Sequence, residues 1–281
     1  MDIGIGLPAT IPGVDRESLL GWARQAEERG FSSLGTIDRI VYPNYEPLIA
    51  LAAAAAVTER IRLLTDILIV PYRVNAALVA KQAATIDALS GGRLTLGVAI
   101  GARDDDYEVS GVPTSERGER MDAMLAQMRE LWEGGEVGPP ASRKRGPELL
   151  IGGMSDAAVR RTVDWADGWT MGGGTPDDFA SMAEKIRAAW SEKGREGEPR
   201  LVSLCYFALG DGAREASDGY IKDYYAFLGD IADQIAQSAV ISPEMAQQYR
   251  DGFAQAGADE LVYFPCSTDV GQVDLLADAV L

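Results

Sequence analysis

The sequence contains no histidine, and that absence excludes more than any residue present. Histidine is the commonest metal ligand and the usual general base near neutral pH. Without it, neither a His-ligated zinc hydrolase nor a Ser-His-Asp or Cys-His hydrolase can be assembled. Cysteine is nearly absent as well: Cys205 and Cys266 are the only two. So widely separated, in a chain expected to be cytoplasmic, they read as buried thiols rather than as a disulfide or a nucleophile. The longest apolar runs, Leu48 to Val57 and Leu63 to Val70, fall short of the roughly 18 to 20 residues that cross a bilayer. Basic side chains are scarce, 26 against 43 acids, for a formal net charge of −17. Such an exterior repels phosphodiester backbones and anionic lipid, so no nucleic acid and no membrane is expected as a partner. The start, Met1-Asp2-Ile3-Gly4, has neither the basic opening nor the cleavage site of a signal peptide, which makes the cytoplasm the expected location. Lysine never ends a predicted strand: Lys81, Lys185 and Lys193 fall on helices, Lys144 in a loop and Lys222 in a late helical region. A Schiff-base aldolase needs a desolvated strand-borne amine and is disfavoured.

What is present is a regular alternation. Apolar residues make up 47% and charged residues 25% of 281 residues, the balance of a globular chain with a large core. Short β-branched or apolar runs end at Gly, Pro or Asp and are separated by stretches of helical spacing, the pattern of a parallel sheet. Eight such runs are found, near Ile3 to Leu7, Ser33 to Ile37, Arg62 to Val70, Leu94 to Ile100, Glu148 to Gly152, Gly168 to Met171, Leu201 to Leu209 and Glu260 to Pro265. Eight units rather than five or six favour closure, so the spacing predicts an α/β fold of the (β/α)8 TIM-barrel type, residues 1–281 forming one domain. Helices are predicted over Pro47 to Glu59 and Glu116 to Trp132 among others, with Asp15, Asn75, Ser115, Ser155, Thr175 and Ser242 as N-caps. The stretch Gly134 to Pro147, with Arg143-Lys144-Arg145, reads as an exposed loop carrying a solvated basic run.

In such barrels the active site lies at the carboxyl ends of the strands. The residues to inspect are Leu7, Asp38 and Arg39, Asp66 to Tyr72, Gly101 to Asp106, Gly152 to Ser155, Met171 to Thr175, Tyr206 and Phe207, and Pro265 to Ser267. Gly152-Gly153-Met154-Ser155 and Gly172-Gly173-Gly174-Thr175 each join a strand end to a helix start, where bare glycine and free N–H groups can cradle a phosphate. The alternative for each is a tight turn with an ordinary N-cap. Asp38 beside Arg39 is expected to stay ionised, either for chemistry or as a loop-bracing ion pair. Asp66 interrupts an apolar run and must leave the core at a bulge or accept hydrogen bonds. Asp104-Asp105-Asp106 is expected to be a solvated loop or N-cap rather than a metal site, and no metal is expected.

Several stretches resemble the luciferase-like monooxygenase superfamily, which comprises flavin-dependent monooxygenases and deazaflavin-dependent dehydrogenases and reductases. They are AAAVTERIRLLTDILIVPYRVNAALVAKQAATIDALSGGRLTLGVAIG from Ala54, DDDYEVSGVPTSERGERMD from Asp104, LLIGGMSDAAVRR from Leu149 and ADGWTMGGG from Ala166. The resemblance implies a cofactor at the carboxyl end of the barrel, either deazaflavin coenzyme F-420 or FMN, with the short deazaflavin-dependent members the nearer match. It implies a bulge with a non-prolyl cis peptide at Asp66-Ile67, and cofactor contacts on Leu7, Asp66, Ile67, Gly101, Arg103, Gly152, Gly153, Ser155, Gly172, Gly173, Gly174 and Thr175. Many members carry Asp-His after the second strand, where this chain has Asp38-Arg39, and the sugar-phosphate dehydrogenases have a Glu where it has Ala102 beside Arg103. The catalytic residues expected are therefore Asp38, Arg39 and Tyr72, the proton coming from Asp38, Tyr72, water or the substrate. A hydride transfer to, or monooxygenation of, a small organic substrate is implied, in a homodimer. A cofactor-binding protein with little catalysis and a cofactor-free barrel lyase or isomerase are the alternatives.

Overall fold

Period-two alternation sorts each strand into two faces, and the two faces fill two different cores. Ile3 and Ile5, Leu34, Leu63, Leu96, Leu149, Trp169, Leu201 and Leu261 point outward and pack with Trp22, Leu51, Val79, Leu125, Met128 and Ile186 of the surrounding helices. Leu64, Leu150, Val202, Leu204, Val262 and Phe264 point inward and pack on one another. The strands that carry them close on themselves in sequence order, all parallel, with the last pairing to the first. In the computed structural model, which describes all 281 residues, the order is β1 (Asp2–Gly6), α1 (Arg16–Arg29), β2 (Ser33–Thr36), α2 (Pro47–Ala55), β3 (Arg62–Ile69), α3 (Ala76–Leu89) and β4 (Leu94–Ala99). Then follow α4 (Asp104–Val109), α5 (Arg117–Gly134), β5 (Glu148–Gly152), α6 (Asp156–Trp165), β6 (Gly168–Met171), α7 (Pro176–Glu192) and β7 (Arg200–Phe207). The chain ends with α8 (Ala213–Tyr224), α9 (Asp230–Gln237), α10 (Pro243–Gln255), β8 (Glu260–Pro265) and α11 (Gly271–Val280).

The expected barrel is thus the observed one, and most of the caps hold. Asp15, Asn75, Ser155, Thr175 and Ser242 each accept a hydrogen bond from a first-turn N–H of the following helix. Ser115 does not: it lies inside a 3-10 turn, Thr114–Glu116, and α5 begins two residues later with no side-chain cap. α2 ends at Ala55, four residues short of the expected Glu59. Beyond it the Thr58 hydroxyl donates to the Ala54 carbonyl at 2.8 Å, satisfying a helix-end acceptor from outside the helix.

The two ends of the barrel differ in kind. At the amino-terminal end the wholly buried Glu260 accepts from Ser32, from Ser33 at 2.7 Å and from Arg62 at 3.3 Å, while Arg200 bridges it to Glu148. A carboxylate out of water is tolerated only when its lone pairs are met in this way. Above this polar plug, Phe264 fills the interior because the two strands next to β8 on one side, β1 and β2, carry glycine: a Cβ on Gly35 would come within 2.7 Å of the Phe264 ring, and one on Gly6 would collide with it. The carboxyl-terminal end is left open. Phe264→Ala is expected to cost about 3 to 5 kcal/mol in chemical denaturation, as a large core truncation does. Gly35→Ala should be markedly less harmful in the Phe264→Ala background than alone; additive costs would show that the ring is not what requires glycine there.

Candidate active site

The site begins with an irregularity in β3. Thr65 pairs with Leu96 and Leu68 with Val98, so β3 spends one more residue than β4 over this span. The Asp66-Ile67 peptide in the bulge is cis, as the family resemblance implied. Two consecutive side chains consequently serve the barrel mouth. Ile67 extends over the ends of β5 and β6, where a Cβ on Gly152 would collide with its Cδ1 and one on Gly172 would touch it at 3.6 Å. Asp66 turns into the interior, fully buried, with Oδ1 accepting from the Thr170 hydroxyl at 2.7 Å and Oδ2 meeting no partner. Burial pushes its carboxyl up to about 7, the Thr170 bond opposing and the nearby Glu260 reinforcing the shift.

Over this floor lies a cavity of about 360 Å³, lined mainly by apolar side chains. Asp38, just beyond β2, stands on its wall with a side chain wholly removed from solvent. Its carboxylate accepts from the Ile69 backbone N–H at 2.9 Å and from Arg73 at 2.9 Å. Burial pushes the Asp38 carboxyl up despite the opposing charge of Arg73. The Tyr72 hydroxyl lies beside it, buried and without an acceptor of hydrogen-bond geometry, and both burial and the Asp38 charge hold it in the neutral form.

Asp38 and Arg39 therefore do not act as the expected pair, because successive residues of an extended loop point in opposite directions. Arg39 turns away from the cavity and binds Asp106 at 2.9 Å and Asp105 at 2.6 Å. Asp106 in turn accepts from the N–H groups of Ile40 and Val41 at 2.9 and 2.7 Å. The expectation of a solvated loop or N-cap holds only in part: Asp104 and Asp105 are exposed in the first turn of the short helix α4 (Asp104–Val109), whereas Asp106 is buried because it ties that helix to the loop after β2.

Of the residues named from sequence, Asp38, Asp66, Ile67, Tyr72, Gly101, Arg103, Gly152, Gly153 and Gly172 line the cavity. Leu7, Arg39, Ser155, Gly173, Gly174 and Thr175 do not. Leu7 packs in the core between sheet and helices. Ser155 caps α6 through Ala158 at 3.3 Å, one turn from the cavity. In the second glycine loop only Gly172 reaches the cavity, and the Thr175 hydroxyl is engaged with Asp178 in a reciprocal capping box. Sequence reasoning missed Tyr224, Tyr225 and Phe227, which follow β7 and close the cavity on one side. The Tyr206 and Tyr225 hydroxyls share a hydrogen bond at 2.8 Å, and Arg103 stacks on this wall. The only trace in the sequence is the run Tyr224-Tyr225-Ala226-Phe227, in a segment whose helices no periodicity could orient.

The barrel is thus open at one rim, with a bulged third strand beneath an apolar cleft and glycines at the ends of β5 and β6. The model of the family described as luciferase-like monooxygenase matches residues 1–278, and the chain belongs to that family. An uncharacterized protein of Mycobacterium tuberculosis is 34% identical over 237 residues, 72% of this chain and 81% of that protein. Among solved structures, an F-420-dependent secondary alcohol dehydrogenase in complex with an F-420-acetone adduct superposes with a TM-score of 0.83 at 19% identity, covering 99% of this chain and 98% of that one. The oxygenating constituent of 3,6-diketocamphane monooxygenase from Pseudomonas putida, in complex with FMN, gives 0.74 at 16% identity over 100% and 99%. At such identities the two structures establish the shared fold.

Asp66 also sets a pH dependence. Its folded value near 7 lies above its ordinary 3.8, so the folded state holds the proton more tightly than the unfolded chain. Stability from this group is full at low pH and is lost as pH rises toward and through about 7. Asp66→Asn should therefore raise Tm by several degrees at about pH 8 and by less than half as much at about pH 5, because the loss sets in above the ordinary value of 3.8 and is complete near 7; both are measured by thermal denaturation. An equal change at the two pH values would show that Asp66 is ionised throughout.

Proposed function

We propose that the protein is an oxidoreductase that holds deazaflavin coenzyme F-420 or FMN in the rim cavity and acts on a small organic substrate. The observation that carries this reading is the floor: Ile67 lies across Gly152 and reaches Gly172 as an apolar platform, and a side chain on Gly152 would displace it. A flat ring fits against such a surface. Two buried polar atoms on the same cavity, Asp66 Oδ2 and Tyr72 Oη, have no partner within the protein and are free to meet one on a ligand. No helix is long and apolar enough to cross a bilayer.

Gly152 and Gly153 would hold the phosphorylated end of the cofactor. Gly153 has φ +118°, and its carbonyl accepts from Trp169 Nε1 at 2.7 Å, which fixes the loop in front of α6. The following helix presents free N–H groups there, so an acidic protein gains local positive potential without a lysine. The bound cofactor supplies a hydride or activates oxygen; the protein supplies binding, orientation and electrostatics. Without histidine, Tyr72 is the proton-bearing group best placed to act. Its hydroxyl stays neutral and, with no acceptor in the protein, is free to donate to a substrate oxygen that gains charge, while Asp38, locked by Ile69 and Arg73, stands beside it.

Titrating the purified protein with FMN and with F-420, following ligand fluorescence, tests the reading. One of the two is expected to bind, and binding of neither would overturn it. Gly153→Val should weaken that binding by at least about tenfold, with Gly153→Ala as the milder variant, because a side chain at this φ blocks backbone approach. Wild-type affinity in folded Gly153→Val protein would mean that these glycines only turn the chain. On a panel of carbonyl and enone substrates, Tyr72→Phe should lower kcat about a hundredfold with little change in KM. An unchanged kcat would remove Tyr72 from the chemistry.

A further inference from the structure

Arg103, just beyond β4, is the only cationic side chain on the cavity wall. Its guanidinium stacks between two rings, 4.2 Å from the Phe227 centroid and 4.3 Å from that of Tyr224, with Tyr225 at 5.4 Å. One amino group donates to the Tyr224 carbonyl at 2.7 Å, and no carboxylate stands within ion-pair distance. Stacking covers the faces of the plane, so the remaining donors can be satisfied only at its edge. Guanidinium edges match a carboxylate fork, two parallel N–H donors to two oxygens.

The acids on the same wall are already engaged. Asp38 is bound by Arg73 at 2.9 Å, Asp106 by Arg39 at 2.9 Å, and Asp66 by the Thr170 hydroxyl at 2.7 Å. Burial keeps Asp66 largely protonated below about pH 7, which removes one negative charge from the cleft. A chain of net charge −17 thus keeps one uncompensated cation facing its apolar cavity, fixed in an aromatic clamp. A cation held in this way, without a protein partner, is a recognition group in search of an anion.

We propose that Arg103 binds the carboxylate of the substrate, and that the substrate is a small carboxylic acid whose apolar or aromatic body lies against Tyr206, Tyr225 and Phe227. This rests on the reading of the cavity as an oxidoreductase site and adds the class of molecule it selects. The same guanidinium edge would suit a cofactor phosphate, so the test separates the two sources.

Benzoate and its neutral counterpart benzamide are titrated calorimetrically into the purified protein, alone and loaded with whichever cofactor binds. Benzoate should bind at least about tenfold more tightly than benzamide, the size of one charge-assisted hydrogen bond. Arg103→Met, which keeps an extended side chain without the charge, should abolish that preference, and Arg103→Lys should retain part of it. FMN and riboflavin affinities should change in parallel in Arg103→Met, as they do when the guanidinium meets no cofactor phosphate. Equal affinity for the two probes in the parent protein, or a preference that survives in folded Arg103→Met, overturns the proposal. So does an Arg103→Met protein that loses FMN but not riboflavin, since the anion would then be the cofactor phosphate. If neither cofactor binds while the benzoate preference and its loss in Arg103→Met stand, the carboxylate site is supported and only the oxidoreductase reading falls.

Discussion

Pairing of β8 with β1 is the contact on which the rest of the molecule depends. Closure gives every strand two neighbours and brings all eight carboxyl ends to one rim. It also creates an interior that must be filled, and the two ends are filled by opposite means. The Glu260 network seals the amino end with mutually satisfied charges. At the carboxyl end Gly152 leaves room for the Ile67 side chain, and the cavity opens over it. Polarity of the strands and placement of the small residues together fix where a ligand can enter.

The bulge in β3 turns that opening into a shaped cavity. A regular strand would alternate Asp66 and Ile67 between core and helices; the extra residue instead lets both face the barrel axis. Ile67 becomes a platform, and Asp66 becomes a carboxyl buried beneath it. The same segment continues into Tyr72 and Arg73, which meet Asp38 from the loop after β2. Residues separated by more than thirty positions in sequence thus converge because neighbouring parallel strands deliver their ends side by side.

Electrostatics in this cavity is set by burial where another protein would use histidine. Desolvation raises Asp38 and Asp66 and holds Tyr72 neutral. Arg73 and Arg39 are each committed to carboxylates, and both serve to hold loops. What remains for a ligand is a small set: one neutral hydroxyl, one half-satisfied carboxyl and the Arg103 guanidinium in its aromatic clamp.

The sequence alone determined the eight-fold alternation, most caps and the odd position of Asp66, because strand period, N-cap chemistry and the misfit of an acid in an apolar run are local properties. It also pointed to Gly152, Gly153, Asp38 and Tyr72, since in a parallel barrel a strand end is a rim position. Partners were not legible. That Asp38 faces Arg73 rather than Arg39, that Asp106 is buried against Arg39, and that Thr175 is consumed by Asp178 depend on which way neighbouring loops turn. The aromatic wall of Tyr224, Tyr225 and Phe227 was equally hidden, because it belongs to a region between β7 and β8 whose helices take their orientation from packing over the rim. Local pattern fixes which face of an element is apolar, whereas the pairing of side chains across loops is decided only when closure brings their backbones together.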